Sequence, residues 1–354
     1  MRIFRRRETH AGRGEGTGQG GVATATATRG FTGTDAELWA EIESLSESNR
    51  ARRSIETERR LLTLRNLAGI RRIEQAAADP EFPDPAFAQL PSSEDLPEVA
   101  GPDVTPELLR AGILSHGCLL VRGLVDRDVA AHFASQIDRS FTARERHDAG
   151  RPLAEGFYDE FSPDPRFGPQ LARPWIKEGG GVLAVDAPRL NFEMMEMFRR
   201  AGLPELVEGY LGEPPLVSAQ KTTLRKAEPT VGGAWHQDGK FMGDVRALNL
   251  WLSLSRCGDE APGLDIVPRR LELVAAGTDD VFLDVQVSQR TAEEAAGEKG
   301  ILRPIFEPGD ALFFDELFLH QTGSDPSMPK PRFAIENWFF GGSAFPVEYA
   351  PIAI

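Results

Sequence analysis

Two histidines and one aspartate stand out among the side chains of this sequence that can take part in chemistry. Of the six histidines, His236 lies in AWHQDGKF, two positions before Asp238, and His320 lies in FFDELFLHQTG. On an extended backbone, residues two positions apart point to the same face. An imidazole and a carboxylate at 236 and 238 are therefore predicted to bind one metal ion. His320, predicted to follow a strand directly, is expected to supply a third ligand from across the core.

Two imidazoles and one carboxylate on one triangular face of an octahedron leave three coordination positions open. That arrangement suits Fe(II) that binds a keto acid and O2 together. A dicarboxylic keto acid also needs a cation for its far carboxylate, and a planar guanidinium provides two parallel hydrogen bonds. Arg332, twelve residues after His320 at the start of RFAIENWFF, is placed to provide it. An HxD pair alone is weak evidence, but the ordered set of four residues is specific.

The elements that position these residues read as a β-rich domain with helices around it. Thr105 and Pro106 start a helix that leads to the apolar strand CLLV, and Asp126 caps a second helix with Val129, Phe133, Ile137 and Phe141 on one face. Short runs with strand character follow at 216–224, 247–254, 281–287, 301–306, 311–314 and 333–339. We predict a mainly β fold with helical buttresses, a sandwich or barrel of jelly-roll type.

The N-terminal third divides into three parts. Residues 11–33 are rich in Gly, Thr and Ala, and residues 1–33 are predicted to be a flexible tail. Helical spacing follows, with a capping box at Thr34 and Glu37, and indicates either two helices or one long helix with a solvated middle. A Pro-rich, acidic segment reads as an extended linker that ends at Asp103. The predicted domains are thus a tail, a helical extension with linker at 34–103, and a main domain at 104–354.

Composition excludes several classes of protein. The 354 residues carry a formal net charge of −14, which argues against binding nucleic acid through a phosphate-neutralising surface. Cys118 and Cys257 give neither a CxxC knuckle nor a disulfide framework. The sequence shows neither a membrane span nor a secretory signal, so a cytoplasmic protein is expected.

An irregular insertion at 143–185 interleaves aromatic residues with prolines and ends in a Gly-rich break at 179–181. Long ordered insertions of this kind are often active-site lids. We expect the segment to cover the site, with Phe157 and Tyr158 contacting the substrate. The alternative is that these aromatic side chains pack the insertion onto the β core.

The stretch from 235 to 340 resembles the phytanoyl-CoA dioxygenase-like superfamily of Fe(II)/2-oxoglutarate-dependent oxygenases. The resemblance lies in HQDG at 236–239, ALNLWLSL, APGLDIVP, PGDALFFDELFLHQTG and Arg332, and also in LRAGILSHGCLLVRGLVDRDVAAHF nearer the N-terminus. It implies a double-stranded β-helix, a jelly-roll or cupin-like core, over about residues 104–345. The chain departs from the family where the usual histidine after APGL is replaced by Arg269, Arg270 and Leu271, and residues 1–100 match no family pattern.

The resemblance also implies roles for individual residues. Iron is assigned to His236, Asp238 and His320, and the C5 carboxylate of 2-oxoglutarate to Arg332. Thr322 stands where the family often has a hydroxyl that helps to hold that carboxylate. Weaker candidates for the same cosubstrate lie on the preceding strand and are Gln220 and Thr222.

Two neighbouring patterns have alternative readings. Asn249 and Trp251 share one face of a strand and either line the pocket or, in the case of Trp251, belong to the core. Lys221, Arg225 and Lys226 form a basic cluster that either receives an anionic substrate or is simply solvated.

The function expected from these observations is a dioxygenase that uses Fe(II), 2-oxoglutarate and O2 to oxidise, most simply to hydroxylate, a C–H bond of a small organic substrate. Two alternatives remain open: a non-catalytic binding protein, and a 2-oxoglutarate-independent cupin-like metalloprotein. Halogenation requires the carboxylate ligand to be absent, so Asp238 argues against it. Substrate identity and oligomeric state are left open by the sequence.

Overall fold

The computed structural model describes residues 31–354 apart from 77–78, 93–95, 154, 165, 167–170, 231, 244, 275–285 and 347. The predicted flexible tail lies, up to residue 30, outside the described residues. The helices are α1 (Asp35–Ala51), α2 (Ile55–Glu74), α3 (Pro106–His116), α4 (Arg127–Asp148), α5 (Arg173–Glu178), α6 (Pro188–Arg200), α7 (Leu203–Leu211), α8 (Gly239–Met242) and α9 (Gln289–Ala296). The strands are β1 (Glu98–Ala100), β2 (Cys118–Arg122), β3 (Gly181–Leu183), β4 (Leu216–Ala227), β5 (Trp235–His236), β6 (Ala247–Ser253), β7 (Gly263–Ile266), β8 (Gln286–Val287), β9 (Ala311–Phe314), β10 (His320–Gly323), β11 (Arg332–Phe340) and β12 (Pro351–Ala353).

These strands form two sheets. The first has the order β1-β2-β9-β6-β11-β4-β12, with β3 added to β4, and the second has the order β7-β10-β5-β8. Strands distant in sequence lie side by side in both sheets, as in a jelly roll. The predicted mainly β fold with a jelly-roll core and helical buttresses is confirmed.

The first sheet has two differently packed faces because side chains alternate along each strand. Leu250, Phe313 and Ile335 point to the outer face, where they join a core cluster with residues of α3, α4 and α6. Trp251 and Phe314 point to the inner face, in a second cluster with residues of β7. The inner face, between the two sheets, is where the candidate site lies.

The N-terminal helical segment forms two helices, α1 and α2, and the predicted capping box at Thr34 and Glu37 is present. Helix α2 packs against the C-terminal strand β12. The Asn66 side-chain amide donates to the carbonyl oxygen of Pro351 at 2.7 Å. A Cβ at Gly69 would lie 2.9 Å from the same carbonyl oxygen, so the glycine permits this close approach. Helix α2 therefore holds the end of the chain against the first sheet.

Three local predictions differ from the structure. The predicted linker up to Asp103 contains β1, which pairs in parallel with β2 and buries Val99. The run at 301–306 forms only isolated bridges, because Pro304 lacks the N–H that a continuous ladder needs. Val129 lies in the first turn of α4 and is exposed rather than packed.

Two predictions about the chain as a whole concern cysteines and membranes. Cys118 and Cys257 are both free and buried. Among the described residues, no helix combines the length and apolar content needed to cross a bilayer.

Candidate metal centre

Three potential metal ligands meet between the two sheets. His236 in β5 pairs directly with His320 in β10, and Asp238 follows at the start of α8. One ligand atom from each of the three residues lies within 4.8 Å of the other two. Within the described residues, no other group of three or more His, Cys, Asp and Glu side chains has this arrangement.

Both imidazoles are oriented by backbone carbonyls. Nδ1 of His236 lies 2.8 Å from the carbonyl oxygen of Ala234, and Nδ1 of His320 lies 3.1 Å from that of Phe318. A carbonyl oxygen can only accept, so Nδ1 carries the proton and donates in each case, which leaves the Nε2 lone pair free. Burial, reinforced by the neighbouring His236, lowers the pKa of His320 to about 4. His320 is therefore neutral near pH 7, the form that binds metals.

The backbone at the HxD pair differs from the prediction. Asp238 has helical angles, φ −62° and ψ −27°, because its carbonyl accepts from Met242 N as α8 begins. The carboxylate reaches the centre from a helix start rather than from an extended strand. His320 does not directly follow β9 but is the first residue of its own strand, β10.

The residue between the two HxD ligands has a structural role that the sequence analysis missed. The Gln237 amide donates to the carbonyl oxygens of Glu272 at 3.0 Å and Leu317 at 2.5 Å, and its oxygen accepts from Val274 N at 2.8 Å. Gln237 is fully buried. It fastens the HxD loop to the loop that precedes His320, which fixes the ligands relative to one another.

Arg332 lies on the inner face with its side chain 1% exposed. Its Nη1 donates to the carbonyl oxygen of Gly263 in β7 at 3.0 Å, and its Nη2 lies 3.4 Å from Oε1 of Glu336. The guanidinium carbon is 5.2 Å from the centre of the Trp251 ring. Arg332 Nε is buried and has no hydrogen-bond partner among the described residues. Nε of this buried cation is thus free to bind an anion, and Nη2 beside it makes only a long contact to Glu336.

The predicted pocket residues Asn249 and Trp251 lie on the inner face of β6, where both are almost fully buried. Asn249 Oδ1 and Trp251 Nε1 have no hydrogen-bond partner among the described residues. Buried polar atoms in folded proteins are normally paired. Thr322 shares a face of β10 with His320 and pairs with Leu264 of β7. Leu264 follows Gly263, whose carbonyl oxygen accepts from Arg332. The unpaired atoms and Arg332 Nε together provide hydrogen-bonding groups for a polar ligand.

The two weaker cosubstrate candidates on β4 are turned to other partners. The Thr222 hydroxyl oxygen lies 2.8 Å from both Ser218 O and Asn337 Oδ1, on the outer face of the sheet, and can donate its proton to either. Gln220 accepts from Ala350 N and donates to the carbonyl oxygen of Glu348. Regular alternation from Arg225, which faces inward, turns Thr222 outward, and Gln220 is engaged by the backbone of residues 348 and 350, so the structure does not support the expectation that either residue contacts a cosubstrate.

The aromatic residues of the predicted lid also lie elsewhere. Phe157 and Tyr158 are buried in the cluster on the outer face of the first sheet. Phe157 packs under Arg139, and Tyr158 packs against His147. The expected substrate contact is wrong, and the alternative reading, that these aromatics pack the insertion onto the core, describes both residues.

Three further residues lie beside the metal ligands: Lys221, from the basic cluster predicted either to receive an anionic substrate or to be solvated, and Phe241 and Tyr349, which were assigned no role. Lys221 Nζ lies 3.6 Å from Oδ1 of Asp238 and 4.0 Å from the centre of the Phe241 ring. Tyr349, 6.0 Å from the same ammonium, comes from the C-terminal segment that α2 and β12 hold in place. Side chains alternate along β4, so Lys221, four residues before Arg225, lies on the same inner face as Arg225. No local pattern could place Tyr349 there.

Glu316 lies behind the HxD loop, where a Cβ at Gly239 would be 3.2 Å from its Cγ. Burial, with a further contribution from Asp315, raises the pKa of Glu316 to about 7. The folded state therefore binds this proton more tightly than the unfolded state does. The resulting stabilisation is complete below the unfolded value of about 4.3 and is lost as the pH rises through 7.

Glu316→Gln should thus leave the melting temperature nearly unchanged at pH 4 and raise it by several degrees at pH 8. The difference in unfolding free energy should be at most about 4 kcal/mol. Thermal unfolding between pH 4 and pH 8 measures the effect, with the exposed Glu298→Gln as the matched control. A melting-temperature difference that stays constant over this range would contradict the assignment.

Comparison with known proteins gives similarities at the level of solved structures. No family model and no curated protein matches the chain. EctD from S. alaskensis, with 2-oxoglutarate and 5-hydroxyectoine, is 17% identical with a TM-score of 0.45, covering 75% of this chain and 84% of that one. AviO1 from Streptomyces viridochromogenes Tue57 is 18% identical with a TM-score of 0.42, covering 66% and 94%. The non-heme alpha ketoglutarate dependent epimerase SnoN from nogalamycin biosynthesis is 17% identical with a TM-score of 0.39, covering 66% and 82%. Because these sequence identities and TM-scores are low, the chemistry of the site is inferred from the residues of this chain alone.

Proposed function

We propose that this protein is an Fe(II)/2-oxoglutarate-dependent dioxygenase that hydroxylates a C–H bond of a small organic substrate and releases succinate and CO2. The observation that carries the proposal is the pairing of two features on one inner surface. The ligand set His236, Asp238 and His320 lies there, and so does Arg332, a buried cation with an unpaired Nε. A metal site alone does not need a buried guanidinium, whereas a dicarboxylate cosubstrate does. The resemblance to the phytanoyl-CoA dioxygenase-like superfamily supports the same function.

The donor set fits Fe(II). His236 and His320 would bind through Nε2, since each Nδ1 already donates to a carbonyl, and Asp238 would bind through its carboxylate. Two neutral nitrogens and one anionic oxygen are the ligands of non-haem Fe(II) sites with open positions. Asp238 also opposes halogenation, in which its place is left to a halide.

The surroundings of Arg332 fit the C5 carboxylate of 2-oxoglutarate. A guanidinium is a planar fork that binds a carboxylate through two parallel hydrogen bonds. Trp251 Nε1 offers a further donor, and Thr322 offers a hydroxyl on the neighbouring strand. A buried charge is stable only when it is paired, so a bound carboxylate would complete the interactions of this arginine.

When bound at these residues, iron and 2-oxoglutarate supply the activation of O2, coupled to decarboxylation, that oxidises the substrate C–H bond. The chain itself orients the ligands and excludes water. The ring centres of Phe314 and Phe318 lie 4.8 and 5.8 Å from that of His320. These apolar rings exclude water from that side of the site. Phe241 is 44% exposed beside His236, and we place the substrate on that side.

Turnover of 2-oxoglutarate tests the proposal. The purified protein supplied with Fe(II) should convert 2-oxoglutarate to succinate in the presence of O2, slowly without substrate and faster with it. Omission of iron or O2 should stop the reaction. A protein that binds iron at this site but neither binds nor consumes 2-oxoglutarate would instead be a cupin-like metalloprotein, and one that binds neither would be a non-catalytic binding protein.

A further inference from the structure

Besides Lys221, which contacts Asp238, the inner face of β4 and β11 carries three charged side chains that lie together: Arg225, Glu336 and Arg332. Arg225 holds the Glu336 carboxylate closely, with Nε 3.0 Å from both oxygens and Nη2 2.6 Å from Oε2. Arg332 makes one longer contact to the same carboxylate, at 3.4 Å from its Nη2. Glu336 therefore lies between two arginines and is shared unequally, with Arg225 as its main partner.

The Glu336 carboxylate is ionised in this setting. Burial acts to raise the pKa of Glu336, but the charge and hydrogen bonds of Arg225, together with the charge of Arg332 and a smaller contribution from His320, hold that pKa below its usual value. Glu336 is only four residues from Arg332 on the same face of one strand. It is thus an internal carboxylate within reach of the guanidinium that, on the proposed function, binds the carboxylate of 2-oxoglutarate.

An internal carboxylate at this place competes with the cosubstrate. Arg332 uses Nη1 for the carbonyl oxygen of Gly263, so its remaining edge consists of Nε and Nη2. A Glu336 side chain released from Arg225 would turn to this edge and occupy both donors. The observed geometry prevents that, because Arg225 engages both oxygens of Glu336.

We propose that Arg225 keeps Glu336 from closing onto Arg332, so that Nε of Arg332 stays unpaired and Nη2 only weakly engaged, and this edge remains available to the carboxylate of 2-oxoglutarate. This inference rests on the proposed function. Arg225 is then a positioning residue that acts on cosubstrate binding through Glu336, without itself touching the cosubstrate.

The Gly-rich break at 179–181 explains how Arg225 is held. Arg225 Nη1 donates to the carbonyl oxygen of Gly179. A Cβ at Gly179 would lie 2.8 Å from Arg225 Nη1, and one at Gly181 would lie 3.2 Å from it. The absence of side chains at these two positions leaves the space that the guanidinium fills. The third member of the basic cluster, Lys226, pairs instead with Asp138 and Glu228.

Direct binding of 2-oxoglutarate, measured by calorimetry on the iron-loaded protein without O2, tests the inference. Arg225→Gln should weaken binding by about tenfold or more, because the freed Glu336 occupies the edge of Arg332. The double variant Arg225→Gln with Glu336→Gln should recover to within about threefold of the wild-type affinity. A merely structural role for Arg225 would show no such rescue.

Lys226→Gln is the matched control, since it removes one positive charge from the same strand without freeing Glu336. Its affinity for 2-oxoglutarate should stay within about twofold of wild type. Arg225→Lys is the second variant, used if Arg225→Gln does not fold. Lysine keeps the positive charge but cannot bind both oxygens of Glu336 as the guanidinium does. The loss of 2-oxoglutarate affinity in Arg225→Lys should also be reversed by Glu336→Gln.

Wild-type affinity in folded Arg225→Gln, or a loss that Glu336→Gln does not reverse, overturns the inference while leaving the proposed function intact. An equal loss in Lys226→Gln also overturns it, because net charge alone would then explain the effect. A wild-type protein that binds iron but not 2-oxoglutarate overturns both.

Discussion

Asp238→Ala, His236→Ala and His320→Ala should each abolish 2-oxoglutarate turnover and weaken Fe(II) binding strongly while the protein stays folded. Removing one of three protein ligands leaves two, and we expect turnover to fall by about 1,000-fold or more. The fold should persist because Gln237 and the pairing of β10 with β7, rather than the ligands, hold these loops together. Iron titration, succinate formation and circular dichroism measure the three quantities.

His132→Ala is the matched control, since His132 is an exposed histidine on α4. It should bind iron and turn over 2-oxoglutarate like the wild type. Full activity in any one of the three ligand variants would refute the assignment of that residue to the metal.

Arg332→Lys should raise the KM for 2-oxoglutarate by about tenfold or more, which corresponds to about 1.4 kcal/mol or more of lost binding. Lysine keeps the positive charge but cannot present two parallel donors to a carboxylate. Arg332→Met should have a larger effect, because it removes the charge as well and leaves the Glu336 carboxylate as an uncompensated anion near the carboxylate of the cosubstrate. Steady-state kinetics at varied 2-oxoglutarate measure both changes.

Arg303→Lys is the control for this series. Arg303 is paired with Asp265 in β7, a residue that alternates to the outer face of the second sheet. The KM of the Arg303→Lys variant should equal that of wild type. An unchanged KM in Arg332→Lys would move the cosubstrate anchor elsewhere, with Lys221 the next candidate.

The metal ligands could be predicted from sequence because their residue types, order and spacing carry the information. The conformation of Asp238 was wrongly predicted as extended, yet the ligand cluster forms, because a strand end followed by a helix start also brings positions 236 and 238 together. The inward position of Glu336 could also have been predicted, because Glu336 lies four residues after Arg332 on the same strand and therefore on the same face.

Other parts of the site depend on features that local sequence does not show. Thr222 was misplaced because the local sequence does not show which of the two alternating faces of β4 points inward, and Gln220 because its partners come from the distant C-terminal segment. Phe157 and Tyr158 were misplaced because aromatic content alone does not distinguish a pocket lining from a packed core. Tyr349 reaches the site through the packing of α2 on β12, a contact between distant parts of the chain.

Anaerobic absorption spectroscopy tests the central claim most directly, because it asks whether one site holds iron and 2-oxoglutarate together. Addition of 2-oxoglutarate to the Fe(II)-loaded protein without O2 should produce a weak visible charge-transfer band. The band should be absent in Asp238→Ala and should need a higher 2-oxoglutarate concentration in Arg332→Lys. A wild-type protein that binds Fe(II) through His236, Asp238 and His320 yet shows no band at saturating 2-oxoglutarate would contradict the account.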